Sequence, residues 1–252
     1  MGKVHQCLSE SLIQWIWEQN LFFVATAASR GHVNISPKGH MHGCFAVLSP
    51  TSVAYLDFSG SGAETAAHLN ENGRITLFFV AFSGPPQILR LYGHAVAVPR
   101  NDVPQELRER FSEEYISHNG FRAIITVNIH RISTSCGFSI PLYDYVGERD
   151  VLLKLFAKKT LAESDEYRIL KNSFSIDKLP SIGNRALNTS APIVAARLKD
   201  GYWWGYTDLT PAEHLQSWVG SFFVLPALGS RDVAMLSFGA VGAAILLKCA
   251  RS

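Results

Sequence analysis

A chain of 252 residues that is 47% apolar and 17% charged, with a formal net charge of +2, can bury a sizeable core, and its composition excludes disorder. Its lysines and arginines are scattered from Lys3 to Arg251 rather than gathered into a basic stripe, which argues against nucleic acid as a partner. Cys7, Cys44, Cys136 and Cys249 show no CxxC pairing, so neither a disulfide framework nor a zinc ribbon is expected, in keeping with a reducing, cytoplasmic location.

From the N-terminus, Leu12, Ile13, Ile16 and Trp17 recur at helical spacing, and Ser9 to Asn20 is expected to form an amphipathic helix. No apolar core of signal-peptide length precedes it. Four short runs follow: LFFVATAA (21–28), HVNIS (32–36), CFAVL (44–48) and SVAYLDF (52–58). They are rich in β-branched and aromatic residues and separated by turn formers, the signature of antiparallel strands. A helix is expected from about Ala63, then a strand RITLFFVAF (74–82), the punctuation Gly84-Pro85-Pro86 and a longer strand QILRLYGHAVAV (87–98). VPQELRERFSEEY reads as one helix with Asp102 as N-cap and Pro104 in the first turn, and AIITVNIHRIST (123–134) as the last strong strand. Strands that follow one another with few helices between them indicate a closed or half-closed β-barrel rather than a doubly wound sheet.

Past about Leu142 the texture changes. The chain becomes charged and helical, then loop-like toward Pro180, with only two further strand-like runs at 192–198 and 202–207. This organisation divides the chain into a barrel domain (1–142), an extension serving as dimer arm or appendage (143–232) and an apolar tail (233–252). Within the tail, VAMLSFGAVGAAILL (233–247) is uncharged and followed by Lys248 and Arg251, yet shorter than the roughly 20 residues a membrane span needs. A C-terminal membrane contact or anchor, a buried helix and an interfacial segment all stay open.

Several stretches carry chemistry. Gly60-Ser61-Gly62 joins a strand to a helix; glycines that tolerate positive φ, a hydroxyl at Ser61 and the free N–H groups of a helix start can together receive an anion without a side-chain cation. A plain strand-to-helix turn is the alternative. In VNISPKGHMHG, Lys38 is the evident cation, with Ser36 two residues earlier on the same side of a strand. If the two segments are neighbours, charge, hydroxyl and backbone donors converge on one phosphate. His40, His42 and Cys44 alternate as strand residues on one face would, a spacing able to start a zinc or copper site but without an identified fourth ligand, so no metal is assigned. Cys136 has no evident activating partner and reads as a small buried residue. The aromatic cluster Tyr202 to Tyr206 suits core or interface packing better than ligand stacking.

The order NISPKG, AYLDFSGSGAETAAHLNENGRITLFFVAF, GPPQILRLYGHA and STSCGFSIPLY resembles the flavin-binding split barrels of the pyridoxamine 5'-phosphate oxidase-like family, over roughly residues 10 to 150. The resemblance implies a mainly β fold with short helices, a six-stranded antiparallel split β-barrel with a helical or irregular C-terminal extension, assembled as a homodimer with FMN in the dimer cleft. Carried over to this chain, Lys38 and its companion Ser36 fall where the family's phosphate-binding strand ends. Tyr55 to Asp57 match the strand edge whose backbone lies beside the flavin ring. Where the family has a Ser-Arg-Lys phosphate cluster, this chain has Ala63, Glu64 and Thr65, so the hydroxyls of Ser61 and Thr65 take over. Glu64 would repel the phosphate unless it turned outward or paired with Arg74 or Arg90. Arg90, on the following strand, is a further candidate. The family's terminal Arg-x-His segment for the vitamin B6 phosphate has no match here.

The expectation is therefore an FMN-binding oxidoreductase that transfers hydride or electrons to a small substrate of unknown identity. The alternative is a non-catalytic flavin or haem carrier or sensor, tethered to a membrane through residues 233–247. No catalytic acid or base stands out.

Overall fold

Period-two alternation of inward and outward side chains builds the sheet that dominates the described chain, residues 2–183 of a computed structural model. The strands are β1 (Lys3–His5), β2 (Phe22–Ala27), β3 (Val33–Lys38), β4 (Phe45–Ser49), β5 (Ser52–Phe58), β6 (Arg74–Val80), β7 (Ile88–Pro99) and β8 (Phe121–Ser135). They form one eight-stranded antiparallel sheet in the order β3-β2-β6-β7-β8-β5-β4, with β1 pairing beside β8. The fold is mainly antiparallel β with short helices. Strands β2 to β8 match the runs read from the sequence, whereas β1, at three residues, is too short to show a periodic signal.

The two ends of this path do not hydrogen-bond to each other; side chains close the gap instead. Phe22 on β2 lies 5.3 Å from Phe45 on β4, 5.4 Å from Tyr55 on β5 and 5.4 Å from Phe79 on β6, ring centre to ring centre. Strands from opposite ends of the sheet thus share one aromatic core, the geometry of a barrel split between β3 and β4. Helix α1 (Glu10–Trp17) adds Leu12 and Ile16 to that core. Its N-cap Ser9 accepts from the Leu12 amide at 3.3 Å, which starts the helix where the periodicity begins.

Outside the barrel a second core joins Leu56, Phe121 and Ile124 to Phe111 and Ile116. The expected single helix of this region is broken. A 3₁₀ turn (Arg100–Asp102), α4 (Gln105–Arg108) and α5 (Glu113–Ile116) replace it. Asp102 lies inside the 3₁₀ turn, and the N-cap position of α4 is Pro104 rather than Asp102. The break lets both Phe111 and Ile116 turn inward, which one straight helix could not do.

Helix α3 (Glu64–Asn72) ends on Gly73 at φ 71°, a left-handed stop that favours glycine. Beyond β8, α6 (Val151–Ala157) and α7 (Leu161–Asn172) belong to the same compact unit as the barrel strands. Thr160 and Glu163 form a capping box at the start of α7, and Phe156 of α6 is fully buried. No helix among the described residues is long and apolar enough to cross a membrane. The runs at 192–198 and 202–207, the aromatic cluster 202–206 and the apolar stretch 233–247 lie outside the described residues.

Candidate functional site

At the split in the barrel the elements leave a cavity of about 310 Å³. β3 contributes Ser36 and Lys38, β5 contributes Tyr55, the loop after it Gly60, Ser61 and Gly62, the start of α3 Glu64 and Thr65, and the start of β8 Arg122. Leu152 of α6 lines it as well. The β2–β3 register explains the β3 contribution: Phe22 pairs with Lys38, Val24 with Ser36 and Thr26 with Asn34, so the polar residues of β3 share the face of buried β2 residues.

The charged centre is a triad. Asp57, fully buried, accepts from Lys38 Nζ at 2.9 Å and from Arg122 Nε at 2.7 Å. Arg122 Nη1 also donates to Gly62 O at 2.9 Å, which ties the triad to the loop. Two cations against one carboxylate leave the triad with one positive charge, which the Glu64 carboxylate on the same cavity wall offsets. Burial pushes the Asp57 carboxyl up, but the Arg122 guanidinium and the Lys38 ammonium outweigh it and hold the group at about 2. Lys38 is therefore not the solitary cation expected, and Asp57 takes part through its side chain rather than only through backbone. Arg122 was missed because it falls just before the strongest apolar run of β8; a lone arginine between Phe121 and Ala123 is the signal that could have found it.

The anion-receiving loop departs from expectation in detail. Neither Gly60 nor Gly62 adopts positive φ. A Cβ at Gly62 would meet the Glu64 carboxylate where it now lies, whereas at Gly60 a Cβ would touch nothing. Glu64 lines the cavity and folds back over Gly62 instead of pairing with Arg74 or Arg90. Arg74 reaches the Ala27 and Ala28 carbonyls, each at 3.5 Å. Arg90 is not brought to the cavity. On β7 the buried Leu89 and Leu91 take the barrel interior, so Arg90 between them projects outward, over the Phe78 ring at 4.9 Å and toward Ser135 Oγ at 3.3 Å.

Helix α3 begins without a side-chain cap, since its N-cap is Ala63. The first backbone bond of the helix type is Ala67 N–H to Ala63 O, at 3.0 Å, so the amides of Glu64, Thr65 and Ala66 have no intrahelical acceptor. Beside them a chain of polar groups runs inward. Ser36 donates to Asn34 Oδ1 at 3.3 Å, and Asn34 Nδ2 donates to Thr65 Oγ1 at 3.1 Å and to Thr26 Oγ1 at 3.3 Å. Thr26 in turn meets His68 Nδ1 at 3.0 Å. Because Thr65 accepts from Asn34, its own O–H is free to donate toward the cavity; Ser36, donating to Asn34, presents an acceptor. Tyr55 is 1% exposed, and its hydroxyl has no partner among the described residues. Burial, reinforced by Asp57, raises its ionisation well above the ordinary range and keeps it a donor. β4 pairs with β5 only as far as Tyr55, so Leu56 to Phe58 have β8 alone as partner, which leaves the open strand edge expected beside the ligand.

Uncapped amides at a positive helix end, the Thr65 hydroxyl and the Lys38 and Arg122 cations are donors that an anionic, acceptor-rich group such as FMN would satisfy, with the Glu64 carboxylate opposing them. Of the residues singled out from sequence, Ser36, Lys38, Tyr55, Ser61 and Thr65 line the cavity, Asp57 lies behind Lys38, and Arg90 lies elsewhere.

The strand-like alternation of His40, His42 and Cys44 is not kept in the fold. Met41–Cys44 is a short helical turn, α2, so His40, His42 and Cys44 do not share a strand face. His42 stacks on Trp17 at 6.1 Å, His40 contacts Tyr115, and the buried Cys44 thiol is pushed up to about 12 by its burial, with Glu148 and Glu114 adding to it. Among the described residues no group of three metal-binding side chains occurs. Cys136, expected to be buried, is exposed, since it lies just beyond the last residue of β8.

Several known proteins are similar to this chain. Among solved structures, HupZ of Group A Streptococcus is 19% identical, covering 50% of this chain and 91% of its own, with a TM-score of 0.38. A FAD-binding protein of Mesorhizobium loti is 12% identical, covering 53% and 95%, with a TM-score of 0.38. The pyridoxamine 5'-phosphate oxidase family protein ustO of Aspergillus flavus is 39% identical over 192 residues, 71% of this chain and 77% of the relative. The family model described as pyridoxamine 5'-phosphate oxidase matches residues 8–136, which takes in the cavity-lining residues other than Leu152. The chain belongs to the pyridoxamine 5'-phosphate oxidase family.

Proposed function

We propose that this protein binds FMN at the cavity beside α3 and works as a flavin-dependent oxidoreductase on a small substrate. The observation that carries the reading is a set of donors on one cavity wall: the uncapped start of α3 and the Thr65 hydroxyl line the cavity together with the Lys38 and Arg122 cations, which Asp57 pairs and Glu64 opposes. The phosphate takes the helix end, Ser61 and Thr65, with charge from the Lys38–Asp57–Arg122 triad. FMN, when bound, supplies hydride or electron transfer, while the chain binds, orients and excludes water.

A homodimer is part of the same reading. The outer face of β2, β3 and β6 presents Val33 at 78% and Ile35 at 66% exposure beside Phe23 and Phe78, an apolar surface suited to a second copy. At about 310 Å³ the cavity is at the small end of ligand pockets, so one protomer offers part of a flavin site.

The test is direct. Purified protein mixed with FMN is expected to quench flavin fluorescence stoichiometrically and to release yellow cofactor on denaturation. Protein that ignores added FMN refutes the reading. Oxidation of a reduced nicotinamide by the loaded protein then distinguishes an oxidoreductase from a carrier.

A further inference from the structure

Helix α7 lies on the far side of the Gly60–Ala63 loop from the cavity, in a part of the chain beyond residues 8–136 that match the family model. Its buried side chains reach the loop's carbonyls one after another. Asn172 Nδ2 donates to Gly60 O at 3.0 Å and Gly62 O at 3.4 Å. Ser181, just past the helix, donates to Ala63 O at 2.8 Å. Arg168 Nε donates to Ser59 Oγ at 2.8 Å, and its Nη2 reaches Phe121 O at 3.1 Å, tying the loop's root to β8. Asn172 is fully buried, Ser181 is 2% exposed and Arg168 is 8% exposed.

In a trans peptide the C=O and the following N–H point in opposite directions, and the peptides here are all trans. Carbonyls 60 and 63 held toward α7 therefore turn the amides of Ser61 and Glu64 the other way, and both residues line the cavity, while Gly62 O is shared between Asn172 and the cavity-lining Arg122. The orientation of Asn172 is itself enforced. Its Oδ1 is buried without a partner, and flipping the amide would set that oxygen against two carbonyl oxygens.

We infer that Asn172 and Ser181 are positioning residues that preset the backbone of the anion loop, so that its amides face a bound phosphate without any lysine or arginine in the loop. This rests on the phosphate-binding reading above. The C-terminal extension is on this account part of the cofactor site although it touches no cofactor.

The test measures dissociation constants for FMN and riboflavin by fluorescence quenching on the full chain, as wild type, Asn172→Asp and Ser181→Ala. The FMN-to-riboflavin ratio isolates the phosphate. Asn172→Asp replaces a donor by a carboxylate and leaves Gly60 O without its partner, and the ratio is expected to fall by about tenfold or more, the scale of one charge-assisted hydrogen bond. Ser181→Ala is expected to lower it about threefold, and riboflavin affinity to stay within about twofold in both. An unchanged ratio, or equal weakening of both flavins, overturns the inference. If Asn172→Asp fails to fold, Ser181→Ala, checked by its circular dichroism, decides. Wild-type protein that binds FMN no better than riboflavin refutes the phosphate reading itself, an outcome separate from a large wild-type ratio left intact by the variants, which refutes only the clamp.

Discussion

Replacing Asp57 with asparagine removes the carboxylate that bridges Lys38 and Arg122 and should lower stability while raising affinity for anions. Asp57 is fully buried, with contacts of 2.9 Å and 2.7 Å to the two cations. Taking one member from a buried ion pair costs on the order of 3–5 kcal/mol, since the other charge stays desolvated and unpaired. Arg122, with its side chain 5% exposed, bears that fully; Lys38, at 22%, can relax toward solvent, so about 3 kcal/mol is expected. For a chain of this size that lowers the melting temperature by about 6–12 °C. Linkage gives an independent estimate. A folded-state value of about 2 against an ordinary 3.8 corresponds to about 2.5 kcal/mol. Because the carboxyl is depressed, this stability is fully present above pH 3.8 and is lost as pH falls through about 2. Urea unfolding of both proteins at pH 7, 4 and 2.5 reads both quantities: the variant should be weaker at pH 7 and the gap should close toward pH 2.5. An Asp57→Asn variant of wild-type stability at pH 7, or a gap independent of pH, would refute the triad as described.

Tyr55→Phe deletes a buried hydroxyl with no partner and no accessible surface, so thermal stability should hold or rise by up to about 1 kcal/mol with FMN affinity unchanged; an affinity loss of about fivefold would show that the hydroxyl reaches the ligand. Glu64→Gln removes a carboxylate from the cavity wall and should tighten FMN binding by roughly three- to tenfold, more at low salt than at high, as titrations at two ionic strengths would reveal. Ile35→Asp places a charge on the exposed apolar face and should shift the protein from dimer to monomer in analytical ultracentrifugation, with FMN affinity falling alongside; a dimer that survives would place the interface elsewhere. Phe156→Ala opens a void under α6 and should cost about 3–5 kcal/mol in denaturant unfolding, since that ring is fully buried.

Much of the barrel was legible before any coordinates. Runs such as SVAYLDF and RITLFFVAF carry their own alternation and stops, so β5 and β6 follow from local chemistry, as does α1 from its Ser9 cap and 3.6-residue spacing. Ser36, Lys38 and Ser61 group on the expectation of a short meander, and Thr65 joins them through the resemblance. The residues do line one cavity, but β3 and β5 lie toward opposite ends of the sheet path, and the curl of the barrel across its split brings them together. Failures fall where partners are distant along the chain. Alternation showed that Arg90 shares a face with Tyr92, but only the β6–β7–β8 register showed that this face is the outer one. Met41–Cys44 has too little length for any periodicity, and the turn it forms depends on packing against Tyr115 and Trp17.

Gly60-Ser61-Gly62, a loop suited to a phosphate yet without a cation, divides along the same line. The residues themselves determined that the loop has small side chains, hydroxyls and a helix start, because those are properties of the local chain. Tertiary structure alone decided that Arg122, 60 residues on, and Asn172, 110 residues on, hold its carbonyls, and that Lys38 shares its charge with Asp57. Such contacts depend on how the sheet curls and where α7 docks, and no local pattern of side chains records either.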